Sequence, residues 1–411
     1  MLYRLEIENF YSVRDLQVLD LTIAPNVSDP DGRFAPLFPG SPLRAPKVVA
    51  LYGANASGKT TVLKALQFLF DFARDSVLRT APGFACDRFN DLESADRPIK
   101  LAIELGGVAD ISQERMTQLE SGKAVPWSAY RYELELEVEN GQSTRVSREA
   151  LRQKPDGNGR WQRVFERDCN GDFKGSSSFQ IAGFRHLLNT LSPNASVISS
   201  FAQFQHPTAV ALKKALLSVL GNLGWDGLMP RDGLLAGILA NQPEMVAAIN
   251  RDVSRIDLGV DQMRIEQGHD QIGPSILFRH KGLAAEMPWA HESHGTRAFI
   301  RMFPLLATTL ASGGIAVIDE FDRMLHPLIL PEILSWFYDT NRNPNDAQLW
   351  ISCHSASLLD DLTKEEIAFC EKDNSGRTTI YSLMDVKAIR RDDNLYRKYL
   401  SGAYGAVPHI G

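Results

Sequence analysis

The stretch Gly53-Ala54-Asn55-Ala56-Ser57-Gly58-Lys59-Thr60 constrains the fold more than any other in this 411-residue chain. It fits GxxxxGK[ST] and stands between a short apolar run, Val48 to Tyr52, and a helical pattern, which is the context the motif requires. In that pattern apolar residues recur at Val62, Leu63, Leu66, Leu69, Phe70 and Ala73, on one face of a 3.6-residue period. A buried strand, a glycine-bearing loop and a helix in this order make a phosphate-binding turn. In such a turn the glycines let backbone N–H groups approach phosphate oxygens and the helix N-terminus adds positive potential; Lys59 would neutralise the β and γ phosphates and Thr60 would ligate Mg2+. The competing reading, an ordinary glycine-rich turn, is outweighed by motif and context together.

Such a loop needs an acidic partner at the end of another buried strand, and GIAVIDEFDRMLHP supplies it. Ile315 to Ile318 is the apolar strand, Asp319 would hold the Mg2+ shell, and Glu320 is placed to polarise an attacking water. Alone, the Asp-Glu pair would read as a solvated turn and helix cap. The strand AQLWISCHS ends in His354 at the same sheet edge, where open α/β folds bind ligands. Its imidazole could report on the γ-phosphate; the plainer reading is a satisfied histidine at a strand end.

HESHGTRAF, residues 291 to 299, admits several chemistries. A Ser-His nucleophile would want an orienting acid and an oxyanion hole, and the GxSxG elbow is missing. A metal site on His291 and His294 would want further ligands, and none recurs at suitable spacing. A helix cap by Ser293 or Thr296 is expected in any case. A helix start with Gly295, a serine hydroxyl and Arg297 also makes an anion site.

The N-terminal LYRLEIENFYSVRDLQVLDLTI reads as one or two strands with a turn near Ser12 to Asp15, and a loop rich in Pro and Gly follows from Pro25 to Pro46. From Arg97 to Gln180 the chain alternates, with NGQ, PDGNGR and CNGD between strand-like runs, which predicts an antiparallel sheet. From Phe184 to Ile256 the period is helical, broken at Pro193, Pro207, LGNLGWDGLMPRDG and Pro243. The last part alternates again. A helix after Thr296, GIAVI, a helix after Pro327, AQLWIS, a helix near Ala356 to Leu362 and EIAFCEKD predict a mostly parallel sheet flanked by helices. The expected class is α/β. Residues 1–95 make the N-terminal half of the core with the phosphate loop, 96–275 an inserted β-rich part and helical lobe, 276–385 the C-terminal half and 386–411 a tail.

Net charge is −6, without the strong basicity that often marks nucleic-acid binders, so DNA remains possible but unsupported by charge. Cys86, Cys169, Cys353 and Cys370 lack CxxC spacing and encode neither a disulfide framework nor a zinc ribbon. MLYRLEIENF has no signal-peptide core, and the apolar stretch Phe303 to Ile318 is interrupted by Thr308, Thr309, Ser312 and two glycines. A soluble cytoplasmic protein without membrane contact is expected.

With the P-loop, ESHGTR, VIDEFDRMLHP and CHS in this order, the chain resembles the ABC and SMC class of ATPases, and more specifically the compact AbiLi/RloA group of prokaryotic ATP-binding proteins associated with phage defence. The resemblance is carried by NFYSVRD, LYGANASGKTTVLKAL, ILFRH, ESHGTRAF, VIDEFDRMLHPLI, AQLWISCHSASLLD, FCEKDNSGRTTIYSLMDV and YLSGAYGAVPHI; residues 76 to 270 correspond to the variable part. It implies an ABC/SMC-like P-loop ATPase core with an inserted antiparallel β part and helical lobe, hydrolysing ATP with Mg2+. By that resemblance Gly53, Asn55, Ala56, Ser57, Gly58, Lys59, Thr60 and Thr61 bind the nucleotide, and Thr60 and Asp319 the metal. Glu320 is the general base and His354 the switch histidine, while Ser293 and Gly295 touch the γ-phosphate of ATP held by another copy. The partners implied are a second copy, in a homodimer or higher homo-oligomer with ATP at the interface, and a co-encoded effector protein. The sequence departs from the family pattern at Tyr11, where a basic residue often follows NF, at Met324 before LHP, and at ISCH in place of TTH. Asn90 or a residue of the following strand is the candidate for a Q-loop.

Three functions compete. The first is an ATP-driven switch that senses infection and controls an effector in antiviral defence. The second is an OLD-type nuclease, for which 57 residues after His354 (411 minus 354) leave no room for a Toprim domain; Glu371, Asp373, Asp392 and Asp393 read as turn and surface residues. The third is a repair or recombination clamp resembling RecF or SMC heads, whose one basic cluster would be Lys387, Arg390, Arg391, Arg397 and Lys398.

Overall fold

In the computed structural model, the described residues are 1–411 except 80–82, 109–126, 156–158, 217–218, 224–231, 255–258, 269–272, 324, 388, 391–392 and 409–411. Met324, Arg391, Asp392 and most of the glycine-rich LGNLGWDGLMPRDG therefore lie outside them. Val48–Tyr52 is an inner strand of a six-stranded sheet ordered Val219–Gly221, Ile315–Ile318, Gln348–Ser352, Val48–Tyr52, Ile367–Lys372, Thr378–Ser382. The first five strands are parallel and the last folds back on its neighbour. Side chains of a strand alternate between faces. Val49 and Leu51 accordingly enter one core and Val48, Ala50 and Tyr52 the other, all fully buried. The uninterrupted apolar run follows from a parallel strand covered on both sides.

On the first face lies the helix Lys59–Asp75, whose six expected core positions are each at most 3% exposed. It packs against the inner face of a seven-stranded antiparallel sheet ordered Phe173–Gly175, Gln162–Asp168, Gln142–Pro155, Trp127–Glu139, Ile99–Val108, Leu2–Glu8, Gln17–Asp20. The expected antiparallel part is thus continuous with the N-terminal strand, because Ile99–Val108 pairs directly with Leu2–Glu8. In YRYELELEV the inward residues Tyr130, Tyr132, Leu134, Leu136 and Val138 are buried, and the outward ones form a ladder of ion pairs. Arg131 meets Glu6 at 2.6 Å, Glu104 at 2.8 Å and Glu133 at 2.6 Å, and Arg148 meets Glu133 at 2.7 Å and Glu166 at 2.9 Å.

The second face is covered by the helices His294–Ser312 and Ile329–Tyr338, where Phe299, Phe303 and Trp336 meet edge to face. The tail packs into the same core. Tyr399 stacks on Phe369 at 5.5 Å, and the Tyr381 hydroxyl donates to Tyr404 O at 2.7 Å. Among the described residues no helix is long and apolar enough to cross a membrane.

Several elements differ from the sequence reading. Within the expected helical lobe, Val219–Gly221 is a strand, since parallel pairing with Ile315–Ile318 covers an otherwise open sheet edge. Ile181–Thr190 and Ala356–Asp361 are 3-10 rather than α-helical. The strand Thr378–Ser382, unforeseen in the sequence, completes a hairpin.

Glu149 and Arg167 form a buried pair at 3.2 Å. Glu149 also accepts the Val197 N–H at 2.9 Å and the Tyr132 hydroxyl at 3.0 Å, which ties the antiparallel sheet to the helix Val197–Gln203. Burial pushes the Glu149 carboxyl above the usual carboxylate range, and Arg167 opposes this. With a folded pKa above the unfolded one, the group's contribution is fullest below the unfolded pKa and is lost as pH rises through the folded one. Arg167→Met removes the opposing charge and is expected to cost roughly 3–5 kcal/mol in denaturant unfolding at pH 8, and less at pH 5. Equal losses at both pH values would contradict this role.

Candidate functional site

The P-loop turn is shaped by two close approaches. Gly53 has φ 148°, and a Cβ there would fall 2.2 Å from Cys370 O and 2.6 Å from Ser57 Oγ. Gly58 has φ 109°, and its Cβ would fall 2.4 Å from Thr378 Oγ1. No side chain fits at either position, so the loop can press against the hairpin strands Ile367–Lys372 and Thr378–Ser382. The back of the loop is then fixed by hydroxyls. Thr378 Oγ1 lies 2.9 Å from both Ser57 O and Ser12 Oγ, and Ser12 Oγ lies 3.0 Å from Thr61 Oγ1.

In front of the loop opens a cavity of about 1190 Å³. Asn55, Ala56, Ser57, Gly58, Lys59, Thr60 and Thr61 line it together with Asp319, Glu320 and His354. Residues more than 250 positions apart are thus brought to one wall. Thr60 Oγ1 donates to Asp319 Oδ2 at 2.9 Å, and the Ser352 hydroxyl donates to Asp319 Oδ1. Ser352 also accepts the Glu320 N–H at 2.8 Å. Glu320 has φ 52°, in the left-handed region where a non-glycine residue is strained. Its carboxylate meets Arg323 at 2.6 Å. The loop after the next strand is held by Asp322, whose Oδ2 accepts the His354 N–H at 3.0 Å and the Ser355 N–H at 2.6 Å.

The residues present fit a nucleotide triphosphate and a hard cation. The helix Lys59–Asp75 starts with no capping side chain and no acidic residue in its first turn, which leaves its leading N–H groups for an external acceptor. Ser57 Oγ is buried without a partner beside them. Lys59 Nζ donates to Gly53 O at 2.8 Å and Ala54 O at 3.0 Å. Burial pulls its ammonium below the ordinary value, with Cys370 and Asp319 opposing; an incoming anion would favour the charged form. Among the described residues no group of three His, Cys, Asp or Glu could hold a metal. Thr60 and Asp319 offer oxygen ligands of the kind Mg2+ takes, with phosphates and water supplying the others.

Ser293 and Gly295 do not line this cavity. Ser293 is the N-cap of His294–Ser312, its Oγ accepting the Thr296 N–H at 3.0 Å, so the helix begins before Thr296. The turn leading into it is anchored by His280, which contacts Gly259 O at 2.8 Å and the buried Glu292 carboxylate. Ser293, His291 and His294 are exposed. Asn90 lines the cavity, as do its neighbours Asp87 to Asp91 and, beside Asp87, Asn140 and Gly141. This rim is held by Asn9, which accepts the Phe89 N–H at 3.2 Å and donates to Arg97 O at 2.8 Å. Sequence reasoning missed Ser12, Asp322, Ser352, Thr378 and Asn222. Ser12, Asp322, Ser352 and Thr378 all stand within the stretches quoted for the resemblance, whereas Asn222, whose side chain meets the Asp319 backbone, falls in the glycine-rich break of the expected helical part.

Comparison with curated proteins gives no match. Among solved structures the chain is similar to the SMC head domain from Thermotoga maritima, at 14% identity and a TM-score of 0.40 over 93% of this chain and 98% of that one. A family model described as "AAA domain, putative AbiEii toxin, Type IV TA system" matches residues 48–360, from the strand before the P-loop to beyond His354. Since that span is more than half of the chain and holds both motif halves of the cavity, the protein belongs to this AAA-domain family of putative AbiEii toxins of type IV toxin–antitoxin systems.

Proposed function

We propose that this protein is a Mg2+-dependent ATPase of the SMC-like, AbiLi/RloA kind, which works in the cytoplasm as a switch on a partner effector in prokaryotic antiviral defence. The observation that carries the ATPase reading is the hydrogen-bonded row Thr60, Asp319, Ser352 at the mouth of an uncapped P-loop helix, with Glu320 one residue further on. Lys59 and the first-turn amides bind the phosphates, and Glu320 accepts the proton of the attacking water. Thr60 and Asp319 would hold Mg2+, which supplies charge neutralisation on the phosphates when bound. His354, on the same wall, is placed to sense the terminal phosphate.

Ser293 and Gly295 belong to this reading through a second copy of the chain. Ser293 is exposed and Gly295 half-buried, and both lie off the cavity lining, so ATP in one copy's cavity would meet them across an interface. The defence role is supported by the toxin–antitoxin family to which the chain belongs. A repair clamp draws no comparable support from the surface. The outer face of the seven-stranded sheet is self-neutralised by its Arg–Glu ladder, and Lys398 of the basic cluster is paired with Asp393 at 2.5 Å.

Glu320→Gln is expected to lower ATP turnover by about 10²- to 10⁴-fold while nucleotide affinity holds; equal turnover would remove Glu320 from the chemistry. Gly295→Asp places a negative charge where a helix start tolerates it but a partner's γ-phosphate does not. Expected is loss of ATP-dependent self-association in sedimentation with the thermal midpoint preserved. Normal turnover by a strictly monomeric Gly295→Asp protein would contradict the shared site.

A further inference from the structure

The edge strand Val219–Gly221 lies within the helical part of the sequence yet pairs with Ile315–Ile318, the strand that delivers Asp319. It leads into Asn222, whose backbone N–H donates to Val317 O at 3.1 Å and carries the pairing one residue further. The Asn222 side chain then treats Asp319 as a neighbouring strand would. Nδ2 donates to the Asp319 carbonyl at 3.1 Å, and Oδ1 accepts the Asp319 N–H at 2.9 Å. One amide thereby satisfies both backbone groups of the residue at which the parallel strand has ended.

From the other side Ser352 holds the Glu320 N–H and the Asp319 carboxylate. The strained residue Glu320 is therefore reached through a peptide gripped from two directions, by an inner strand and by the edge strand. The edge strand is itself seated on the P-loop helix. A Cβ at Gly221 would fall 2.5 Å from Gln67 Oε1, and Lys213 of the preceding helix Pro207–Leu216 faces Asp75 at 3.7 Å.

We propose that Asn222 is a positioning residue: it latches the helical part to the turn bearing Asp319 and Glu320, so that a displacement of that part is felt at the metal ligand and the general base. The proposal rests on the nucleotide reading above. Asn222 acts through the Asp319 backbone, and an arrangement set by such a support is sensitive to small misplacements.

The test compares Asn222→Ala with Asn250→Ala, which removes an amide clamp of the same kind away from the cavity; there Nδ2 reaches Met263 O at 2.9 Å and Oδ1 the Met263 N–H at 2.6 Å. Asn222→Asp, which keeps the acceptor and loses the donor, serves where the alanine variant does not fold. In the nucleotide-free protein, amide hydrogen exchange over residues 316–320 should quicken in the Asn222 variants only. With Mg2+ and ATP, kcat of Asn222→Ala should fall by about 10- to 100-fold with KM little changed, whereas Asn250→Ala should lower the thermal midpoint and keep kcat. Unchanged exchange at Asp319, unchanged kcat, or an equal loss of kcat in Asn250→Ala would overturn the proposal. A wild-type protein that neither binds nor hydrolyses ATP would defeat the nucleotide reading and, with it, the catalytic side of the coupling, while exchange at Asp319 would still decide the latch.

Discussion

The hydrogen bond from Thr60 to Asp319 joins the first turn of the P-loop helix to the end of a strand 259 positions later, and the organisation of the molecule makes that contact possible. It needs Val48–Tyr52 and Ile315–Ile318 in one parallel sheet, with Gln348–Ser352 between them to supply the Ser352 hydroxyl. It also needs the helix Lys59–Asp75 pressed onto that sheet, which the antiparallel sheet achieves by burying the helix from behind. Each layer is held by ordinary apolar burial. The polar row at the strand ends is where this burial stops and chemistry can begin.

Much of this was legible in the sequence because local pattern and required contact agree. The P-loop helix shows its core face at a 3.6-residue period, the YELELEV run shows its buried face at period 2, and the motif residues Lys59, Thr60, Asp319, Glu320 and His354 do line one cavity. What was not legible depends on pairing at a distance. Val219–Gly221 is a three-residue strand in helical surroundings and exists because a sheet edge stood open beside it. Thr378 and Ser12 become part of the site only when the hairpin and the N-terminal turn fold against the P-loop, which no spacing rule reports. The tail residues Tyr399 and Tyr404 read as a separate end of the chain and instead fill the core beneath Phe369.

The same dependence on distant partners narrows the chemistries open to HESHGTRAF, residues 291 to 299. Its local role is settled by the Ser293 cap and the Glu292–His280 contact, which fix where the helix begins. In the proposed reading this helix start, with no acidic residue in its first turn, meets an anion held by another copy of the chain. The ion-pair ladder of the antiparallel sheet, by contrast, is charge spent within the chain, and it gives that face little field to attract a polyanion.

The central claim is that the cavity before the P-loop binds a nucleotide triphosphate with its metal. Calorimetric titration of a non-hydrolysable ATP analogue, with and without Mg2+, into wild type and Lys59→Ala tests it most directly. Saturable, Mg2+-dependent binding to the wild type, weakened at least about tenfold by the substitution, is the predicted result. The same binding curve in both proteins would contradict it.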